Sequence, residues 1–217
     1  MIYLINLNAM KKLLLTIGII TTVISYGFSQ TIYGLKAGVN LAKVSPGVEV
    51  LKDYQKKHVS FYVTGFADIP VANQFSIQPG ISLQGKGSTY EGEMNGTSGS
   101  IKGDVMSIEV PVNAVYYIPA GMGKVFLGAG PYVGFNVSGK SVSKVGDEAS
   151  VEEKLDFSGD DKDMERVDAG LNFLGGYKFN NGFLINAGYG LGLTDQISDS
   201  ETKGSHRVLS FGVGFQF

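Results

Sequence analysis

The segment VLSFGVGFQF at residues 208–217 places a large apolar residue at every second position. These apolar positions are Leu209, Phe211, Val213, Phe215 and Phe217. Between them stand only Ser, Gly and Gln. Successive side chains of a β-strand point to opposite faces, so this period of two predicts a strand with one apolar face and one small or polar face.

The same alternation occurs in seven earlier segments, so we predict eight strands. The seven cover residues 33–41, 58–69, 75–84, 108–116, 123–137, 167–173 and 183–194. Strands of soluble proteins average about 5–6 residues, whereas a tilted strand needs about 9–11 residues to cross a membrane. The length of these runs therefore favours strands that span a bilayer.

The connections between the predicted strands alternate between long and short. Long loops are predicted at residues 45–57, 88–104, 138–164 and 195–204, and short turns near residues 70–72, 119–122 and 180–182. Outer-membrane barrels have short periplasmic turns and long extracellular loops. Closure into a barrel also pairs every backbone polar group, as a bilayer demands. We therefore predict an all-β fold over residues 30–217: an eight-stranded antiparallel up-and-down transmembrane β-barrel.

In such a barrel the apolar face of each strand contacts lipid, and the small or polar face lines the lumen. Eight strands enclose a space just wide enough for side chains to fill. The 31 glycines of the chain then make room for inward aromatic rings. The inward rings are predicted to be Tyr62, Phe66, Phe126 and Tyr132, and the glycines beside them Gly128, Gly130, Gly134 and Gly170.

Six charged residues fall on the lumenal face of the predicted strands: Lys36, Asp68, Lys86, Glu109, Asp168 and Lys178. Three acids and three bases are the composition expected of charges that pair with one another in a filled lumen. A path for protons or ions through the barrel is the alternative. We interpret the six residues as a structural lumenal charge cluster.

Residues 1–29 have the pattern of a signal peptide. Lys11 and Lys12 precede an apolar run, and small residues precede Gln30, so cleavage is predicted between Ser29 and Gln30. The run from Leu13 to Phe28 is shorter than the roughly 20 residues of a membrane-spanning helix. Residues 1–9 add nothing to this pattern, so Met10 is an alternative start.

Composition excludes several kinds of functional site. The chain has no Cys, which removes disulfides, thiolate metal sites and cysteine nucleophiles. Its two histidines, His58 and His206, have inward parity, and the acidic run at 160–163 lacks the spacing of an EF-hand loop. We therefore predict no metal, no cofactor and no catalytic residue. The formal net charge of −2 argues against a nucleic-acid partner.

Seven segments together carry a family resemblance. They are GLKAGVNL (34–41), FSIQPGISLQGKG (75–87), IEVPVNAVYYI (108–118), GAGPYVGFNVSG (128–139), VDAGLNFLGGYKF (167–179), INAGYGLGLTD (185–195) and VLSFGVGFQF (208–217). In combination they resemble the PorT-like outer-membrane β-barrel proteins of Gram-negative bacteria. The resemblance implies location in the outer membrane, insertion by the barrel-assembly machinery, and Phe217 as the C-terminal aromatic signal for that assembly.

One residue departs from the family pattern. Gly80 stands where the family usually carries Glu after Pro, so a lumenal role of that acid is not carried over to this chain. Lys36 or Lys86 is accordingly expected to have fewer partners. The family name comes from a component of a protein-secretion apparatus, and we do not carry that role over either.

These observations predict an integral outer-membrane protein that has a structural or surface-interaction role through its four long loops and no enzymatic activity. Its predicted partners are outer-membrane lipid, the barrel-assembly machinery and an envelope or extracellular protein of unknown identity. Two alternatives stay open. A lipid-modifying enzyme would use His206 with Ser205, although no oriented acid is recognisable in the sequence. A secreted lipocalin-like carrier would need an apolar lumen.

Overall fold

The computed structural model describes residues 31–46, 54–94, 97–146, 150–159, 163–196 and 204–217. The predicted signal peptide at 1–29 lies outside the described residues, as do parts of the four long connections. Within the described ranges, no helix has the length and apolar character needed to cross a membrane.

Ten β-strands make up this part of the chain. In chain order they are β1 (Ile32–Pro46), β2 (Gln55–Lys56), β3 (His58–Ala72), β4 (Phe75–Met94), β5 (Thr97–Ala120), β6 (Gly123–Val145), β7 (Val151–Lys154), β8 (Val167–Phe179), β9 (Phe183–Gly192) and β10 (Gly204–Gln216). Eight are long, and the two short ones, β2 and β7, lie within long connections.

The eight long strands form one closed antiparallel barrel. Each pairs with the long strands before and after it in sequence, and β1 pairs with β10 from Gly34 opposite Gln216 to Pro46 opposite Gly204. The predicted eight-stranded up-and-down barrel is therefore confirmed. The short strands are additions to it, because β2 pairs with β4 and β7 pairs with β6.

Short turns gather at one end of the barrel, as predicted, although residues 70–72, where the first was expected, belong to β3. They occupy residues 73–74, 121–122 and 180–182. In the last of these, Gly182 has a φ of +90°, a conformation that glycine adopts without steric cost. We call this the short-turn end, and the opposite one the long-connection end.

The long-connection end is more ordered than the sequence indicates. Strands β4, β5 and β6 have 20, 24 and 23 residues, about twice the length that a membrane crossing needs. The predicted loop 88–104 was wrong, because most of it continues the β4–β5 hairpin. The predicted loop 138–164 likewise contains the end of β6 and all of β7.

A β-bulge explains why the sequence pattern fails there. Met106 pairs with Ser138 and Ser107 pairs with Asn136, so Val137 is an extra residue in β6. An extra residue moves the following side chains to the opposite face. The period of two that identifies the strand therefore ends at 137, although the hydrogen-bonded strand continues to Val145.

The two faces of the barrel have the predicted character. Outward side chains such as Leu35, Ile81 and Phe211 are 56%, 67% and 46% exposed. Inward ones such as Asn40, Ser82 and Asn113 are buried. The lipocalin-like alternative required an apolar lumen, and the polar lumen contradicts it.

Glycines do make room for the predicted inward rings, but most of these glycines are not the predicted ones. A Cβ on Gly170 would lie 2.7 Å from the ring of Tyr132, as predicted. The other three predicted rings meet different glycines: a Cβ on Gly34 would contact the ring of Phe66, one on Gly176 the ring of Phe126, and one on Gly212 the hydroxyl of Tyr62. Gly128, Gly130 and Gly134 instead face aliphatic, backbone or polar atoms, because which residues meet depends on the register between strands.

Candidate functional site

A buried ion cluster crosses the lumen toward its long-connection end. The Lys86 ammonium on β4 lies 2.6 Å from Oδ2 of Asp168 on β8 and also contacts the Glu109 carboxylate on β5. All three side chains are at most 4% exposed. Buried charges are stable only when they are paired in this way.

Asp168 is the hub of this cluster. The hydroxyl of Thr194 donates a hydrogen bond of 2.9 Å to Oδ1, and Nδ1 of His206 lies 3.2 Å from Oδ2. The Lys86 ammonium also lies 4.9 Å from the ring centre of Tyr132. Asp168 thus joins residues from β4, β10 and the chain after β9, which fixes these elements to one another through the lumen.

Two amides cover the cluster on its long-connection side. Gln196 is fully buried, and its Nε2 donates to Oγ1 of Thr194 at 3.0 Å and to the carbonyl of Val167 at 3.1 Å. Nδ2 of Asn136 donates to Oε1 of Gln196 at 3.0 Å. The chain after β9 therefore folds into the barrel mouth and narrows it.

A second buried histidine lies at the same end. Nε2 of His58 is 2.9 Å from Oδ1 of Asp104, and its Nδ1 is 3.3 Å from Oγ1 of Thr89. His58 therefore links β3 to the β4–β5 hairpin where that hairpin leaves the barrel.

Uncharged polar pairs fill the middle of the lumen. Nδ2 of Asn40 donates to Oε1 of Gln84 at 2.7 Å, and Oγ of Ser210 donates to Oδ1 of Asn40 at 2.7 Å. Nδ2 of Asn186 donates to the Tyr62 hydroxyl at 2.8 Å. These bonds satisfy polar groups that would otherwise be costly to bury.

A third group lies near the short-turn end around Asp68. Its Oδ2 accepts hydrogen bonds from the hydroxyl of Tyr117 at 2.7 Å and from Nε2 of Gln216 at 3.2 Å. The Lys36 ammonium lies 4.5 Å from the ring centre of Phe66, and that of Lys178 lies 5.8 Å from the ring centre of Tyr117. The side chains of Phe66 and Tyr117 also belong to a small apolar core with Val115, Phe126 and Leu184.

The structure thus places all six predicted lumenal charges on inward positions, but it divides them. Lys86, Glu109 and Asp168 form the ion cluster, whereas Asp68, Lys36 and Lys178 lie toward the other end. In the described part of the chain, Lys36 and Lys178 form no ion pair and contact aromatic rings instead. The idea of one set of mutually paired charges was therefore wrong for these two lysines, and Lys36 is the lysine with fewer partners.

Sequence reasoning missed the contact between His206 and Asp168. Both residues have inward parity, which was the available signal, but β9 separates their strands, so no local pattern joins them. Ser205 faces outward and bonds to Nη1 of Arg207. It is therefore on the opposite face from His206 and does not form the proposed Ser–His pair.

A cavity of about 90 Å³ lies between the two charged groups. The polar side chains in its lining include Lys36, Thr64, Gln84, Asn113 and Asn172. A void of this size with several polar partners is suited to a few water molecules. Among the described residues, no group of three or more His, Asp or Glu side chains could hold a metal ion. Asp160 and Asp161 of the acidic run lie outside them.

The closed barrel, apolar outside and polar inside, defines a transmembrane β-barrel protein with a filled lumen. A profile of the family described as outer membrane protein beta-barrel domain matches residues 28–198. The match covers most of the chain, so the chain belongs to this family of outer-membrane β-barrel proteins.

Several solved outer-membrane barrels are similar to the chain. Ail, the attachment invasion locus protein of Yersinia pestis, shares 16% identity and covers 87% of this chain and 99% of its own, with a TM-score of 0.43. Neisserial surface protein A shares 16% identity and covers 85% of this chain and 97% of its own, with a TM-score of 0.42. OprG of Pseudomonas aeruginosa shares 13% identity and covers 86% of this chain and 95% of its own, with a TM-score of 0.46. No curated protein sequence matches the chain.

Proposed function

We propose that this outer-membrane barrel acts as a structural or surface-interaction protein through its long-connection end, which faces the cell exterior. The observation that carries the proposal is the extension of β4, β5 and β6 well beyond the length of a membrane crossing. Such strands form an ordered sheet outside the lipid.

The projecting sheet exposes apolar surface. Tyr54, Ile101 and Val145 are 47%, 53% and 57% exposed and line one groove of about 640 Å³ together with Tyr90. Apolar side chains outside the membrane cost free energy unless a partner covers them. The groove therefore supports an interaction with another protein at the cell surface.

The filled lumen supports an interaction role over transport. Lys86 and Asp168 join across the barrel, and Gln196 covers them at the mouth. Eight-stranded barrels enclose little more than their own side chains. We therefore expect no conductance from the purified barrel in a planar bilayer.

A photo-crosslinking residue at Ile101 tests the surface role on intact cells. We expect a discrete adduct with one envelope or extracellular protein, weakened by Val145→Ser in the same groove. The same residue at Val71, exposed at the short-turn end, is the control and should not give this adduct. If both positions give the same products, the proposed role is wrong.

The route to the membrane belongs to the same proposal. Residues 1–29 act as a signal peptide cleaved between Ser29 and Gln30, and the barrel-assembly machinery inserts the mature chain with Phe217 as its signal. The PorT-like grouping and the absence of a nucleic-acid partner are parts of this proposal. The intact mass of the protein purified from outer membranes tests the cleavage, since it should correspond to residues 30–217.

We further propose that the barrel has no enzymatic activity. Asp168 does orient His206, as a catalytic dyad would require, but the two side chains are 0% and 1% exposed inside the lumen. Neither reaches the lipid face. We expect His206→Asn to leave the lipid A composition of the cell unchanged by mass spectrometry, and a change would support the lipid-modifying enzyme instead.

A further inference from the structure

Two cations oppose each other on the outside of the barrel. Lys43 of β1 and Arg207 of β10 are direct cross-strand partners. Both have outward parity, and Lys43 is exposed. Like charges directly opposite in an antiparallel pair are destabilising. An anion near both side chains would reduce this repulsion.

Lys57 lies on the other side of Lys43, one residue before the start of β3. The pairing of β1 with β3 ends at Ala42 opposite His58, and Lys57 is the next residue toward the long-connection end on the β3 side. It is exposed and follows the parity of the outward Val59. Lys57 just before β3, Lys43 of β1 and Arg207 of β10 are thus three neighbouring cations, which we call the basic row.

No acid neutralises the basic row within the part of the chain that the structure describes. None of the ion pairs there includes any of its three members. This differs from Lys140 on β6, which lies 3.3 Å from Glu152. Among the described residues, the row is therefore a local concentration of positive charge.

The guanidinium of Arg207 is held in place with one edge free. Its Nη1 donates to the carbonyl of Gly192 at 2.7 Å, to Oγ of Ser205 at 2.8 Å and to the carbonyl of His206 at 3.0 Å. Among the described residues, Nε and Nη2 make no hydrogen bond. An arginine edge with parallel N–H donors matches two oxygens of a phosphate.

The basic row lies at the margin of the apolar belt. The next outward positions toward the short-turn end are Leu41 and Leu209, and those on the other side are Ser45 and Ser205. This change from leucine to serine is expected where acyl chains give way to lipid head groups. Cations at this level attract anionic lipid.

We propose that Lys57, Lys43 and Arg207 bind the phosphorylated head group of an outer-leaflet lipid. The phosphate accepts hydrogen bonds from the free edge of Arg207 and lies against the ammonium of Lys43, which relieves their repulsion. Its assignment to the outer leaflet rests on the proposed orientation of the barrel. The site itself does not, so it can be tested on the purified protein.

Native mass spectrometry of the mature barrel in neutral detergent measures this binding. The probe is phosphatidic acid, and diacylglycerol with the same acyl chains shows what the phosphate adds. We expect phosphatidic acid to bind at least about tenfold more tightly than diacylglycerol, and Lys43→Gln/Arg207→Gln to remove most of this difference. The control Lys140→Gln/Lys154→Gln removes two exposed cations from outside the belt and should bind like the unchanged protein.

Three results would overturn the proposal. The first is that the Lys43→Gln/Arg207→Gln variant binds phosphatidic acid as tightly as the unchanged protein does. The second is that the Lys140→Gln/Lys154→Gln variant loses as much affinity as that variant. The third is that millimolar inorganic phosphate displaces the lipid, which would indicate a site for the free anion. Lys43→Gln alone covers the case in which the double variant does not fold, because Lys43 is exposed. It should lower the affinity about threefold or more. None of these results depends on whether the long-connection end binds a protein at the cell surface.

Discussion

The ammonium of Lys86 lies 2.6 Å from Oδ2 of Asp168, although β5 and β6 separate their strands around the barrel. This ion pair connects opposite walls through the lumen. With Glu109 as a second acidic partner of Lys86, it supports our proposal that the interior of the barrel is a structural element rather than a channel.

Removing Lys86 tests that structural role. Lys86→Met leaves two buried carboxylates without a cation, which should destabilise the barrel by about 3–5 kcal/mol. The readout is the free energy of unfolding in urea from lipid vesicles. The triple variant Lys86→Met/Glu109→Gln/Asp168→Asn, which has no buried charge in the cluster, should recover most of the loss. If Lys86→Met alone is neutral, the cluster does not stabilise the barrel.

Ring packing against glycine gives a second prediction with a matched control. A Cβ on Gly34 would lie 2.5 Å from Cζ of Phe66, whereas one on the lipid-facing Gly65 meets only Leu35 at 3.6 Å. Gly34→Ala should therefore cost about 1–3 kcal/mol by overpacking, and Gly65→Ala should cost much less.

Phe66→Leu provides the second arm of this test. It makes room for the new methyl group, so Gly34→Ala/Phe66→Leu should be less destabilised than the sum of the two single variants. Additive effects would show that the ring of Phe66 is not what excludes a side chain at Gly34.

The sequence was sufficient for the barrel but not for its interior contacts. The period of two along segments such as 208–217 identifies strands and their faces, because lipid and lumen impose opposite chemistry on alternate residues. Which inward residues meet is decided by strand register and barrel closure. The contacts of Asp168 with Lys86 and His206 therefore could not be read from local patterns.

The projecting hairpin was missed for a different physical reason. Outside the lipid, no solvent boundary forces side chains to alternate, so strand residues there lose the period of two. The bulge at Val137 also shifts the side-chain faces. Backbone hydrogen bonds continue through both changes.

Phe217 provides a prediction about assembly. Its side chain is 69% exposed, and its amide donates to the carbonyl of Tyr33 at 3.0 Å. Since the ring packs little inside the barrel, Phe217→Ala should leave the stability of refolded protein nearly unchanged and lower the amount assembled in the outer membrane. Membrane fractionation and in vitro unfolding separate the two effects. Equal losses of in vitro stability and of assembled protein would indicate that Phe217 has a structural role instead.

The orientation of the barrel can be tested with single cysteines, because the chain contains none. Ser98 lies in the projecting hairpin, and Met122, 79% exposed, lies in a turn at the short-turn end. A membrane-impermeant maleimide should label Ser98→Cys on intact cells and Met122→Cys only after permeabilisation. The reverse pattern would place the projecting sheet in the periplasm.

Lipid contact on one face of the strands is the central claim, and tryptophan fluorescence measures it most directly. The chain contains no Trp, so Phe211→Trp on the outward face and Tyr132→Trp in the lumen each introduce a single fluorophore at an aromatic position. In vesicles of brominated lipid, we expect strong quenching of Phe211→Trp and weak quenching of Tyr132→Trp. Equal quenching, or stronger quenching of Tyr132→Trp, would contradict a membrane barrel with a filled polar lumen.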